Sequence, residues 1–158
     1  MLMDAAQIAR RIPHQGRMCL LDGVLAWDAE HIRCRASSHR GGDHPLRANG
    51  RLGIACGIEY AAQAMAVHGA LLAEAAGVAA QAPRVGYLAA VRGVKLYAHR
   101  LDDVVADLAV RAQRLVGDGN HIIYGFDVSG EGRLLLSGRA TVVLDAGLAA
   151  RLAGGAKA

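Results

Sequence analysis

Two side chains in the first half of this sequence have the chemistry of an acid–base pair. Glu59 stands in the apolar run GIEYAAQAM, where a carboxyl group must be paired, hydrogen-bonded or protonated if it is buried. His14 follows Pro13 in RIPHQGRMCLLDGV and precedes a second apolar run. A histidine and a carboxylic acid with a raised pKa can exchange protons with a substrate at neutral pH. Spacing alone does not bring them together, and a solvent-facing Glu59 and a surface His14 remain the alternatives.

The helix predicted around Glu59 must position this carboxyl group. Residues 55–76 are rich in alanine, contain no proline and are followed by Gly77, which suits a helix C-cap. The segment is apolar nearly all round, so we predict a buried helix. Gln63 lies one turn after Glu59, where its amide can hydrogen-bond to the carboxyl group and orient it. His68 falls on roughly the opposite helix face and is excluded from the site.

The remaining segments predict one short helix and six strands. Residues 4–11 predict a helix with Asp4 as N-cap, ended before Pro13. MCLLDGVLAW and HIRCRAS predict two strands, and the turn-rich residues 37–53 predict a loop. After the long helix, alternation with a period of two predicts four strands, the last three joined by the hairpin turns GDGN and SGEG.

This order of elements predicts an α+β fold in which one curved antiparallel sheet wraps around the long central helix. One sheet covers only part of such a helix, so we expect a dimer that buries the rest. The 158 residues, of which 53% are hydrophobic, are predicted to form a single domain over 1–158. Residues 150–158 are expected to be a frayed tail.

Composition excludes several classes of function. The net charge of +4 is scattered along the chain and aromatic residues make up 4%, which argues against nucleic-acid binding and still suits an acidic partner. The three cysteines lack the close pairs of metal or redox motifs, so we expect free thiols in the cytoplasm. No signal peptide or membrane span is expected. We predict no metal and no cofactor, and we interpret His39, Asp43 and His44 as ordinary loop residues.

Both motifs resemble those of a known family. IPHQGRMCLLDGV is similar to the Pro-His motif of the 3-hydroxyacyl-ACP dehydratases of the hotdog superfamily, and GIEYAAQAM is similar to their central-helix motif of an acidic residue and a glutamine four positions on. VGYLAAVRGVKLYAHRLDD resembles the strand and bend after that helix. The likeness covers roughly residues 12–143. HPLRANGRLG before GIEYAAQAM resembles the branch associated with aryl-polyene pigment pathways.

The resemblance implies the fold, the reaction and the partners. It implies a hotdog dimer, homomeric or with a second hotdog subunit, that dehydrates a 3-hydroxyacyl thioester on acyl carrier protein in fatty-acid or polyene biosynthesis. His14 and Glu59 would face each other across the dimer interface, one from each subunit, at the end of a tunnel. Neutral His14 would remove the C2 proton and protonated Glu59 would donate to the C3 hydroxyl. Arg47 and Arg51 become candidates for carrier binding, although solvated loop arginines explain them equally well.

The residues that would stabilise the thioester oxygen depart from the family's pattern. The fatty-acid enzymes carry a Pro-Gly step at the position where this chain has Gly53 and Ile54. Backbone N–H groups of Gly53, Ile54 and Gly57 at the helix N-terminus are therefore the candidates for holding the developing negative charge.

Two other functions remain open. A hotdog acyl thioesterase also uses an acidic residue on the central helix, but to activate water. A non-catalytic acyl-binding module, or an inactive partner subunit of a dehydratase heterodimer, would keep the fold without the chemistry.

Overall fold

The computed structural model describes residues 1–77, 86–118 and 120–144. Two α-helices and seven β-strands occur in this part of the chain. In chain order they are β1 (Met3–Asp4), α1 (Ala5–Ala9), β2 (Gly23–Trp27), β3 (His31–Ala36), α2 (Gly57–Ala75), β4 (Gly86–Leu96), β5 (Leu108–Gly117), β6 (His121–Gly130) and β7 (Arg133–Leu144). Short 3₁₀ turns cover Gly16–Met18, Ser38–Arg40 and Ile54–Cys56.

All seven strands form one antiparallel sheet in the order β1-β2-β3-β5-β6-β7-β4. The predicted meander of the last three strands is confirmed, and β4 pairs with β7 at the edge of the sheet. The two-residue strand β1 at the opposite edge was not predicted. The predicted frayed tail, 150–158, and residue 119 of the GDGN turn lie outside the described residues.

The hydrophobic core lies between α2 and the inner face of the sheet. Helix α2 packs mainly against β3, β5 and β6, whose inward side chains include the buried Leu108 and Val110. The predicted burial of the helix is confirmed over much of its surface. The small residues Ala62, Ala66 and Gly69 on its other side are only half-buried. A single sheet thus leaves one side of α2 incompletely covered, and the dimer that would cover it remains a prediction.

Two element boundaries bear on the site. Helix α1 begins after Asp4, whose side chain accepts from the Gln7 backbone in a capping box, as the sequence predicts for the N-cap. Strand β2 begins at Gly23, five residues later than predicted. The preceding backbone at Met18 and Leu20 forms hydrogen bonds with a side chain of α2 and not with a neighbouring strand.

Candidate active site

His14 and Glu59 meet within one chain. Nε2 of His14 lies 2.9 Å from Oε1 of Glu59, and their side chains are 24% and 32% exposed. Arg11, three residues before His14, forms an ion pair with Glu74 near the end of α2 (2.8 Å). The segment from Arg11 to His14 therefore runs along the helix and brings the imidazole back to its first turn. The expectation that each subunit supplies one of the two groups is corrected: this chain holds both.

Gln63 fixes the orientation of the carboxyl group, as the i+4 spacing predicts. Its side chain is fully buried. Its Oε1 accepts from the backbone N–H of Leu20 (2.9 Å), which turns Nε2 toward the backbone oxygen of Met18 (2.6 Å) and Oε1 of Glu59 (3.2 Å). An amide with its oxygen occupied in this way can only donate to Glu59.

The pKa of Glu59 is lowered, whereas a raised value was expected from burial. The hydrogen bond from His14 is the largest cause; burial opposes it, and the bond from Gln63 and the charge of His14 add to it. Hydrogen bonds to the charged form outweigh desolvation for a group that remains partly exposed. Glu59 is therefore a carboxylate at neutral pH and accepts a hydrogen bond from the Nε2–H of His14. This contribution to folding stability is present above the ordinary value of 4.5 and is lost as the pH falls through the lowered pKa.

The second nitrogen of the His14 ring has no hydrogen-bond partner among the described residues, although it is buried. The sulfur of Cys19 donates to the backbone oxygen of His14 (3.2 Å) and helps to hold the turn. The ring is thus anchored at Nε2 by Glu59 and through its own backbone.

Within the described ranges, two of the three predicted oxyanion donors already have a partner for their N–H group. The N–H of Ile54 donates to the backbone oxygen of His99 (3.1 Å), and that of Gly57 donates to the oxygens of Ile54 and Ala55. The N–H of Gly53 donates to no group in the described part of the chain, and the space beside its Cα is open. Because the N–H groups of Ile54 and Gly57 already have partners, Gly53 remains the candidate donor to the thioester oxygen.

The two arginines considered for carrier binding have different environments. Arg47 donates from Nε to the backbone oxygen of Gly41 (2.8 Å) and lies 3.5 Å from the carboxylate of Asp102. Asp102 also pairs with Arg100, which lowers the pKa of Asp102. Arg47 therefore stabilises the loop before α2 through these contacts. The side chain of Arg51, in contrast, is exposed.

His39 and His44 lie between β3 and α2, in the region predicted as a loop, and both side chains are buried. His39 is fully buried and His44 is 6% exposed. His39 contacts the backbone oxygen of Val104 (2.9 Å), and His44 contacts the hydroxyl of Tyr60 (3.0 Å). No group of three potential metal ligands occurs among the described residues. His68 lies away from the site, as predicted, and contacts Tyr124.

Two surface grooves lie on the outer face of the sheet, away from the acid–base pair. The larger, about 760 Å³, is lined by residues including Arg33, Arg111 and Arg139 and does not reach His14 or Glu59. The predicted tunnel beside the helix remains a prediction. Neither helix in the described ranges is long and apolar enough to cross a bilayer.

Comparison with known proteins relates this chain to dehydratases. A family model named ApeP-like, described as ApeP dehydratase, matches residues 6–152. The dehydratase heterocomplex ApeI:P from Xenorhabdus doucetiae is similar in structure, with 22% identity, coverage of 87% of this chain and 90% of that chain, and a TM-score of 0.75. None of the curated proteins matches the sequence.

Two structures described as thioesterases have the same fold at lower similarity. Zebra fish thioesterase superfamily member 2 is 14% identical, with 90% of this chain and 99% of that chain covered and a TM-score of 0.56. A hypothetical thioesterase with coenzyme A from Streptococcus pneumoniae TIGR4 is 10% identical, with 77% and 84% covered and a TM-score of 0.52. The architecture is the predicted α+β hotdog fold, and at these identities structural likeness establishes the fold alone.

Proposed function

The chain belongs to the ApeP-like dehydratase family, and on this basis we propose that it converts a 3-hydroxyacyl thioester into the trans-2-enoyl thioester and water in polyene biosynthesis. The main support from the site is the contact of 2.9 Å between His14 and Glu59. Elimination of water needs one group that accepts a proton and one that donates a proton, both close to the same two carbon atoms.

The lowered pKa of Glu59 reverses the roles expected from the sequence. The carboxylate of Glu59 removes the C2 proton, and the electrons of that C–H bond form the C2–C3 double bond. The C3–O bond breaks, and protonated His14 gives its proton to the departing hydroxyl group, which leaves as water. Glu59 then returns a proton to His14 across their hydrogen bond, which restores the pair.

The thioester oxygen gains negative charge as the C2 proton leaves. We assign the backbone N–H of Gly53 as the donor to this oxygen, supported by its lack of a partner among the described residues and by the open space beside it. Gly53 also lies near the N-terminus of α2, where the helix dipole favours negative charge.

A direct assay separates this function from thioester hydrolysis. The purified protein should release water from a 3-hydroxyacyl thioester, seen as the absorbance of the conjugated enoyl thioester, and should release no free thiol from a saturated acyl thioester. Thiol release without enoyl formation would support the thioesterase alternative. Neither reaction, alone or with a hotdog partner present, would support the non-catalytic alternative.

A second hotdog subunit, identical or unlike, is the proposed partner at the free edge of β4. This edge pairs with no strand in the described part of the chain. It carries exposed apolar side chains, among them Tyr87 (40%), Leu88 (38%) and Leu96 (50%). A long apolar edge strand is prone to pair with another chain. The ApeI:P structure is described as a heterocomplex, which supports an unlike subunit as one form of this partner.

Replacing Leu88 with aspartate should weaken this association by about 30-fold or more, because burying an unpaired charge at an interface costs at least about 2 kcal/mol. Sedimentation velocity measures the association, first with the protein alone and then with a hotdog partner. Val105→Asp is the control, since Val105 is 79% exposed and lies in a loop outside β4. Wild-type protein that stays monomeric in both experiments would contradict the proposed partner.

We propose acyl carrier protein as the donor of the substrate and the cytoplasm as the compartment. The exposed Arg51, near the start of α2, could contact an acidic carrier or the phosphate of its prosthetic arm. All three cysteines are free thiols, which is consistent with a reducing compartment.

A further inference from the structure

The hydroxyl group of Tyr60 lies at the centre of a buried hydrogen-bond network next to the proposed active site. Tyr60 follows Glu59 on α2 and is fully buried. Its oxygen lies 2.7 Å from Oγ of Ser38 and 3.0 Å from Nε2 of His44. Burial raises the pKa of Tyr60 to about 12, so the hydroxyl keeps its proton. Two side chains from the region before α2, Ser38 and His44, thus converge on one phenol oxygen.

The direction of each hydrogen bond in this network is determined. The backbone N–H of Leu46 donates to Nδ1 of His44 (3.1 Å), so Nε2 carries the ring proton. Burial lowers the pKa of His44, which keeps the ring neutral. His44 therefore donates to Tyr60. Ser38 donates to the backbone oxygen of Leu20 (2.8 Å), so it must accept from Tyr60.

The network reaches Glu59 through the peptide groups on either side of Leu20. Leu20 accepts from Ser38 at its oxygen and donates from its N–H to Gln63. Gln63 in turn donates to Met18 and to Glu59. Hydrogen bonds that run in one direction through a dry interior polarise and strengthen one another. The loop that contains His44 is therefore connected to the reacting carboxylate through hydrogen bonds on both sides of one residue.

We propose that Tyr60 is a positioning residue for the dehydration reaction: its hydroxyl, held by His44 and Ser38, fixes the backbone at Leu20 and thereby the Gln63 amide that orients Glu59. Tyr60 does not contact the substrate in this proposal. It keeps the carboxylate at the distance and angle from His14 that proton transfer needs. The inference rests on the proposed function.

Tyr60→Phe tests the role of the hydroxyl group alone. We expect kcat to fall about tenfold, which corresponds to about 1.4 kcal/mol of activation free energy, with KM within about twofold of wild type. Tyr124→Phe is the matched control. Tyr124 is also a buried tyrosine whose hydroxyl meets a histidine, His68 at 2.9 Å, but it is not part of the network. Its removal should lower the melting temperature and leave kcat within about twofold.

A spectroscopic measurement tests positioning without turnover. The infrared carboxylate stretch of Glu59, isolated by subtracting the spectrum of Glu59→Gln, should shift or broaden in Tyr60→Phe and stay unchanged in Tyr124→Phe. If wild-type protein forms no enoyl thioester, the proposed function fails and the stretch alone decides this inference. If Tyr60→Phe does not fold, Ser38→Ala should reproduce the shift and Ser38→Thr, which keeps the hydroxyl, should restore the wild-type band. The inference is overturned if Tyr60→Phe and Ser38→Ala leave the carboxylate stretch of Glu59 unchanged, as Tyr124→Phe does. If the wild-type protein is active, an unchanged kcat in these variants would overturn it as well.

Discussion

Replacing His14 with alanine should lower kcat by about 10² to 10⁴-fold, the usual contribution of one general acid or base. Glu59→Gln should have an effect of the same size, because the amide keeps the shape of the side chain and cannot accept the C2 proton. The two groups act together in one elimination of water, so the double variant should lose little more than either single variant. Enoyl thioester formation under saturating substrate measures all three effects.

The control for this prediction is another histidine–carboxylate pair in the same chain. His31 lies 3.1 Å from Asp28, but both side chains are more than half exposed, and neither lies near α2's first turn. His31→Ala should therefore leave kcat unchanged. Circular dichroism should show that the His14 and Glu59 variants remain folded. Folded variants of both residues that retain turnover near the wild-type rate would refute the assignment of the pair.

Replacing Gln63 with leucine should damage both stability and turnover. Leucine has a similar volume but no polar atoms, so the N–H of Leu20 and the oxygen of Met18 lose their buried partner. Each unsatisfied backbone group costs about 1 to 3 kcal/mol, and we expect the free energy of unfolding to fall by a few kcal/mol. Glu59 loses the donor that orients it, so kcat should fall as well.

Urea unfolding measures the stability loss, and the slope of the transition should remain that of wild type. Gln113→Leu serves as control, because Gln113 is exposed on β5 and its replacement should change neither quantity by much. A Gln63→Leu variant as stable as wild type would mean that water or a rearranged backbone satisfies the groups that Gln63 now bonds.

Local patterns in the sequence were sufficient to predict most helices and strands and the hydrogen bond between Gln63 and Glu59. The alanine-rich run without proline predicts α2, and the i+4 spacing predicts the bond between Gln63 and Glu59, since helix geometry fixes which side chains meet. The last four strands follow from strict alternation. The pairing of His14 with Glu59 is different, because these residues are far apart in the sequence. Their contact depends on how the tertiary fold brings the segment before β2 onto α2.

The remaining features depend on distances that no local pattern encodes. Burial raises the pKa of Glu59 and hydrogen bonds lower it, so the direction of the change follows only from the positions of the donors. The free N–H at Gly53 emerges only when the partners of Ile54 and Gly57 are known. His44 was interpreted as a loop residue because glycines surround it; its burial against Tyr60 arises from packing of the loop on α2.

Both members of the proposed acid–base pair belong to one polypeptide and are therefore inherited as a unit. A mutation in a partner subunit can alter the shape of the acyl site or the choice of substrate without separating the acid from the base. In an assembly with an unlike subunit, the number of working centres contributed by this chain equals the number of its copies. Counting the centres labelled on this chain with a mechanism-based inhibitor would therefore report how many copies of this chain the assembly contains.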